Sequence, residues 1–219
     1  MSEITYNLVA TGSAGNCLIL NKFFALDMGI PFKKIEPYYK DFKIVFIGHE
    51  HNDHLRKSTI KRLARERPTL RFCVGEWLAP ILLECGVEAK NIDVIEAPKL
   101  YDYGAFKISP IVLYHDCKNY GLRIFIGDEK AIYITDTHTV EGIQAKNYQW
   151  YFIEANYTEE DLQRRIREKQ EKGEYSYEMN AAKRHLSKEQ ADAFLLVNAG
   201  EHSRYEYLHQ HIDKEKKDV

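Results

Sequence analysis

The stretch Gly48-His-Glu-His-Asn-Asp-His-Leu55 limits what this chain can be more than any other. Three histidines and an aspartate fall within six positions: His49, His51, Asp53 and His54. Side chains of an extended segment alternate with a period of two, so His49 and His51 project to one side and can reach the same metal ion. A helix starting just beyond would carry Asp53 and His54 in its first turn, facing back toward that pocket and a second ion. Imidazole with carboxylate suits zinc, manganese and similar metals better than calcium.

The short apolar run 44–47 reads as a buried strand that delivers this loop to a sheet edge. Hydrophobic alternation and turn residues place further strands over 3–9, 16–20, 23–26, 70–74, 92–95, 106–114, 122–126, 131–134 and 151–153. Helices are expected over 55–67, 76–85, 159–172 and 188–196, with 204–211 read as a last short helix. Ser187, with Gln190 three residues on, makes an N-cap for the fourth. A strand that ends on a chemically competent residue recurs: Asp27 after 23–26, His115 and Asp116 after 106–114, Asp136 after 131–134, and Glu154 after 151–153. Asp27 is expected to steady one of the histidines through a hydrogen bond.

Composition narrows the partners. The chain has 219 residues, 44% of them apolar, enough for one large core. It is read as one domain over 1–219, with a charged helical part from about 158. The net charge of −2 gives no global basic field to attract nucleic acid over distance. Basic clusters at 61–67, 164–169 and 183–188 are mixed with acids and read as solvated faces. Cys17, Cys73, Cys85 and Cys117 form no CxxC pair, which excludes a classical zinc finger and a disulfide framework. No secretory leader and no apolar run of about 20 residues is apparent, so a cytoplasmic protein without membrane contact is expected.

The candidates His49, His51, Asp53, His54, His115, Asp136 and His185 are five imidazoles and two carboxylates, enough for two ions sharing one acid. At this point the chain resembles the metallo-β-lactamase-fold hydrolases. The carriers are Gly12-Ser-Ala-Gly-Asn-Cys17, His49-Glu-His-Asn-Asp-His54, His115-Asp116, Asp136-Thr137, Glu154-Ala-Asn156 and His185-Leu-Ser187. Together they resemble the bacterial YycJ-like (WalJ-like) branch, related to ribonuclease Z, over about residues 5 to 198. The resemblance implies a four-layer αββα sandwich with the site at one edge of two sheets. It further implies that His49, His51 and His115 hold one metal, Asp53, His54 and His185 the other, and that Asp136 bridges. Two departures concern the proton donor: Tyr157 stands where the relatives usually have histidine, and His138 where they usually have glycine. No segment is long enough for the large inserted domain of some nuclease members.

Two divalent cations about 3.5–4 Å apart ionise a water at neutral pH and stabilise both the attacking and leaving oxygens of an in-line displacement. The expected function is therefore hydrolysis of phosphodiester bonds in nucleic acid, exonuclease-like, with two zinc or manganese ions. Asp53 would orient the water, and Glu154, Tyr157 or His138 would protonate the leaving oxygen. A cyclic-nucleotide phosphodiesterase resembling phage enzymes that counter nucleotide-based immunity is the alternative, since the low net charge suits a small substrate. A catalytically silent relative that binds nucleic acid or a protein partner is the non-enzymatic alternative. Tyr114, Tyr120, Tyr157, Tyr175 and Tyr177 offer stacking surfaces near the ligand-bearing loops, and a homodimer is expected through the charged helices after Asn156.

Overall fold

The structure is a computed structural model that describes residues 3–173 and 183–210. Its strands form two six-stranded sheets. The first runs in chain order from β1 (Tyr6–Ala10), β2 (Cys17–Leu20) and β3 (Phe24–Leu26) to β4 (Ile44–Ile47), β5 (Arg71–Val74) and β6 (Ile92–Val94). Its first three strands are an antiparallel meander and its last four are parallel. The second contains β7 (Tyr101–Asp102), β8 (Lys107–Tyr114), β9 (Lys118–Ile126), β10 (Glu129–Ile134), β11 (Trp150–Glu154) and β12 (Arg204–Leu208). It is antiparallel from β7 to β10, and β11 and β12 then add in parallel.

The period of two divides the apolar residues of the central strands between two layers of core. On β4, Ile44 and Phe46 enter the space between the sheets, against Leu122, Ile124, Tyr133 and Phe152. Val45 and Ile47 turn outward, against Ile60 and Leu63 of α2 (Lys57–Glu66) and Leu82 of α3 (Ala79–Glu84). The short α1 (Phe32–Ile35) packs on the same face. On β11, Phe152 points between the sheets, whereas Tyr151 and Ile153 pack against Phe194 and Leu195. The last two belong to α5 (Lys188–Asn198), which follows α4 (Glu159–Glu171) in the chain. The result is helix, sheet, sheet, helix: the four-layer sandwich that the family resemblance implied. Strands such as β4, covered on both faces, must be apolar throughout, which is why Ile-Val-Phe-Ile is unbroken.

Three local readings change. The segment expected as a helix at 204–211 is strand β12, paired in parallel with β11 from Trp150↔Arg204 to Glu154↔Leu208. Its Arg-Tyr-Glu-Tyr-Leu pattern alternates, and a parallel neighbour satisfies its backbone better than an isolated helical turn could. Strand β9 begins at Lys118, because Asn119 and Tyr120 continue the ladder opposite Leu113 and Val112. Helix α2 starts only at Lys57, so Asp53 and His54 lie in a separate turn in which the His54 and Leu55 amides donate to the His51 carbonyl at 2.9 and 2.7 Å. Pro80 falls in the first turn of α3, where its missing N–H leaves no bond unmade. No helix among the described residues is long and apolar enough to cross a membrane.

The sheet edge is closed by contact between two loops. The Asn16 amide donates to the Asp53 carbonyl at 2.7 Å, and the Met28 amide to the His54 carbonyl at 2.8 Å. At Gly29 the chains approach so closely that an added Cβ would lie 1.7 Å from the Asp53 oxygen. Gly29→Ala is therefore expected to destabilise by more than about 3 kcal/mol, because a backbone rather than a flexible side chain must yield. Gly142→Ala, with nothing within 4 Å but φ of +76°, should lose only the ~1–2 kcal/mol of a left-handed backbone. Urea unfolding of the two variants checks the difference, and equal losses would refute the contact.

Candidate metal centre

The ends of β3, β4, β8, β10, β11 and β12 gather at one edge of the sandwich. Three residues within two positions of a strand end, Asp27, Asp136 and His209, have left-handed backbones with φ of 58°, 54° and 52°. Asp and His tolerate this region better than most residues, yet each occurrence costs about 1 kcal/mol or more. The strain turns each side chain back across the end of its strand into a common cluster.

Asp136 is the hub. Its Oδ2 lies 3.2 Å from His49 Nε2, 3.0 Å from His54 Nε2 and 3.9 Å from His115 Nε2. His51 Nδ1 is 3.3 Å from His115 Nε2. On the other side, Asp136 Oδ1 is 3.6 Å from His209 Nε2, which in turn lies 3.2 Å from Asp53 Oδ2. Three sets of potential ligand atoms thus share Asp136, each with all atoms within 4.8 Å of one another: His49, His51, His115 and Asp136; Asp53, His54, Asp136 and His209; and Asp136, Glu154, His185 and His209. His49 gives a direct test of whether a cation fits. It is fully buried, and neither ring nitrogen makes a hydrogen bond, the 3.2 Å approach to Asp136 lacking the required direction. Buried polar atoms are nearly always partnered, and a cation among these four groups supplies the missing partner.

The supporting layer is as ordered as the cluster. Asp27 stands where its place at a strand end suggested: its Oδ2 lies 2.6 Å from His54 Nδ1, accepts from the Tyr133 hydroxyl at 2.7 Å, and its Oδ1 accepts from the Gly48 amide at 3.0 Å. Asn119 Nδ2 donates to the carbonyls of Thr135 and Asp136 at 2.9 and 2.8 Å, fixing the strained turn. Glu154, fully buried, lies 2.6 Å from His185 Nδ1 and accepts from the Thr137 amide at 3.0 Å. His185 and His209 stack with ring centroids 5.0 Å apart.

Charge in the cluster is balanced by shared protons. Burial opposes ionisation of Asp136, but His54 and His209 hold its carboxyl well below the usual range. Burial likewise disfavours charge on His54, yet Asp136 and Asp27 keep it protonated well above its ordinary value. His209, despite burial, is pushed up to about 10 by Asp136, Asp53 and Glu154. His49 is pushed down to about 4 by burial and by the neighbouring His54 charge. Protons on His54 and His209 thus occupy the positions where cations would neutralise the same carboxylates.

The sequence-expected residues are placed unevenly. His49, His51, Asp53, His54, His115 and Asp136 come together. His185 groups with Asp136, Glu154 and His209, its Nδ1 3.7 Å from Asp136 Oδ1 and 2.6 Å from Glu154 Oε1, while His209 is the histidine grouped with Asp53 and His54. His209 was hidden by reading 204–211 as a helix; the recurring strand-end rule, applied to the alternation of Arg204 to Leu208, would have found it. Of the expected proton donors, Glu154 is buried beneath His185, His138 is exposed with its ring 6.1 Å from Tyr114, and Tyr157 is buried with its backbone bridged to Ser187. Tyr175 and Tyr177 lie outside the described residues, as does the chain beyond Gln210.

No family model matches the chain. Cytidine monophosphate-N-acetylneuraminic acid hydroxylases of Sus scrofa and Cricetulus griseus are 38% and 36% identical to it over 55 residues, 24% of this chain. The chain aligns with only 13% and 10% of their length. Solved structures cover nearly all of it. The metallo-beta-lactamase fold protein YhfI from Bacillus subtilis superposes with a TM-score of 0.73 at 15% identity, over 97% of this chain and 88% of that one. The short form of human tRNase Z gives 0.67 at 13%, over 94% and 92%. Zn(2+)-bound PqqB from Methylobacterium extorquens gives 0.67 at 10%, over 94% and 88%. With these neighbours and its two packed sheets between helices, the chain has the metallo-β-lactamase fold.

Because histidine must be neutral to ligate, cation uptake should release the protons held on His54 and His209. Zinc titrated calorimetrically at pH 7.5 in buffers of different ionisation enthalpy is expected to release about two protons, and affinity should rise with pH toward the His209 value of about 10. Heats independent of buffer would remove these histidines from the ligand set.

Proposed function

We propose that the protein is a dinuclear-metal-dependent phosphodiesterase that hydrolyses nucleic acid. The observation that carries this reading is that Asp136 is shared between His49, His51 and His115 on one side and Asp53, His54 and His209 on the other. His49, His51, His115 and Asp136 would hold one ion, and Asp53, His54, Asp136 and His209 the other, with zinc or manganese suiting the donors. When bound, the ions would act as Lewis acids toward a water and toward the oxygens of a phosphodiester.

The chain's own groups supply positioning and proton transfer. Asp27 fixes the orientation of His54, and Tyr133 and the Gly48 amide fix Asp27. Glu154 accepts the Nδ1 proton of His185, which orients the ring. His185 is partly exposed, with 17% of its side chain open to solvent, so its ring can reach a leaving oxygen and pass a proton to it. The donor is therefore His185, with Glu154 as its buried support, rather than Glu154, Tyr157 or His138 acting directly.

A cleft of about 520 Å³ is bordered by Trp77, Tyr101, Lys118 and Tyr120. Its Tyr120 is tied through the backbone to the residue that precedes His49, the Tyr120 amide donating to the Gly48 carbonyl at 3.2 Å. Base stacking on such rings adds about 1–3 kcal/mol per base and is tolerant of sequence. The alternative, a cyclic-nucleotide phosphodiesterase, draws support from charge: Arg62, Arg71 and Lys118 all face acids, which suits a substrate with few phosphates.

Metal analysis followed by assay against bis-p-nitrophenyl phosphate, cyclic mononucleotides, single-stranded DNA and RNA tests the reading. Cleavage of polymer is expected; cleavage of cyclic mononucleotides alone would favour the alternative, and no turnover by the loaded protein would favour a binding role. His51→Ala should lose metal at one position together with activity. His185→Ala should keep its metal and lose about 10²–10⁴-fold in kcat, whereas His209→Ala should lose metal; metal loss from His185→Ala would return that residue to the ligand set.

A further inference from the structure

Asp116 has no part in the scheme above, although it touches the cluster. Its Oδ1 lies 3.3 Å from His51 Nε2 and 3.2 Å from His115 Nε2, and its Oδ2 lies 3.2 Å from Arg184 Nε. One carboxylate therefore spans from two imidazoles of the candidate metal group to a guanidinium. It is the shape of an oxyanion held between a metal position and an arginine, with the protein's own carboxylate standing in for the anion.

Arg184 is pinned to this place by its backbone as well. Its carbonyl lies 2.9 Å from His115 Nδ1, so the residue borders the site whatever its side chain does. The side chain itself is half exposed, at 51%, and Asp116 at 29% can withdraw into solvent. A planar guanidinium matches two oxygens of a phosphate, and such charge-assisted pairs are about twice as strong as neutral hydrogen bonds. A phosphodiester carries the same local pattern as Asp116: one oxygen for the histidine-lined side and one for the arginine.

We propose that Arg184 forms an oxyanion subsite that binds a non-bridging oxygen of the substrate phosphate, and that Asp116 occupies this subsite until the phosphate displaces it. The inference deepens the phosphodiesterase reading and rests on it for the identity of the substrate. It assigns Arg184 to substrate binding and makes Asp116 an internal competitor.

The test is inorganic phosphate binding to the zinc-loaded full chain, measured by calorimetry, alongside KM for bis-p-nitrophenyl phosphate and zinc content by mass spectrometry. Arg184→Gln is expected to weaken phosphate binding and raise KM at least tenfold with zinc content unchanged, and Arg184→Lys to recover only part of the loss because the fork is missing. Asp116→Asn should tighten phosphate binding several-fold. Unchanged phosphate affinity in Arg184→Gln overturns the inference, as does zinc loss in Asp116→Asn, which would make Asp116 a ligand. Phosphate binding is read without turnover: a wild type that binds phosphate through Arg184 yet cleaves no diester sinks the proposed activity and leaves the subsite standing.

Discussion

The structure depends on one arrangement, the Asp136 carboxylate buried among imidazoles at the junction of two sheets. An isolated charge at such depth would cost several kcal/mol after relaxation. Here it is approached by His49, His54, His115 and His209 from different strand ends. No one strand could supply these partners, so the sandwich must close before the carboxylate is tolerable, and the closed sandwich in turn fixes where cations can lie.

Around that hub, each buried group answers to the next. Tyr133, deep between the sheets, donates to Asp27; Asp27 holds His54; His54 faces Asp136. Thr137, next to Asp136, donates its amide to Glu154, which holds His185 and lies 3.4 Å from His209. The hydrophobic layers and the polar cluster are thereby joined through a tyrosine whose ring belongs to the core and whose hydroxyl belongs to the site. Left-handed backbones at Asp27, Asp136 and His209 are the local strain that this network holds in place.

The division of labour among histidines follows from their second nitrogens. His54 gives one nitrogen to Asp27 and presents the other to Asp136. His185 gives Nδ1 to Glu154 and remains partly open to solvent. His209 lies between Asp53 and Glu154, 3.2 and 3.4 Å from their oxygens. Arg184, tied to His115 through its carbonyl and to Asp116 through its guanidinium, extends the cluster toward an incoming anion.

Much of this was legible in the chain. Local spacing exposed His49, His51, Asp53 and His54, and the strand-end pattern exposed Asp27, His115, Asp136 and Glu154, because period-two alternation and turn residues are written in neighbouring positions. The unbroken apolar run of β4 announced a strand covered on both faces. What only the tertiary structure decided was which distant histidine stands beside Asp53 and His54. His185 and His209 are equivalent as sequence; a parallel ladder between β11 and β12 carries His209 to Asp53, while Glu154 claims His185. Pairing across fifty residues obeys no local propensity, so the sequence by itself determined the kinds of groups at the sheet edge, and the packing of the two sheets determined their partners.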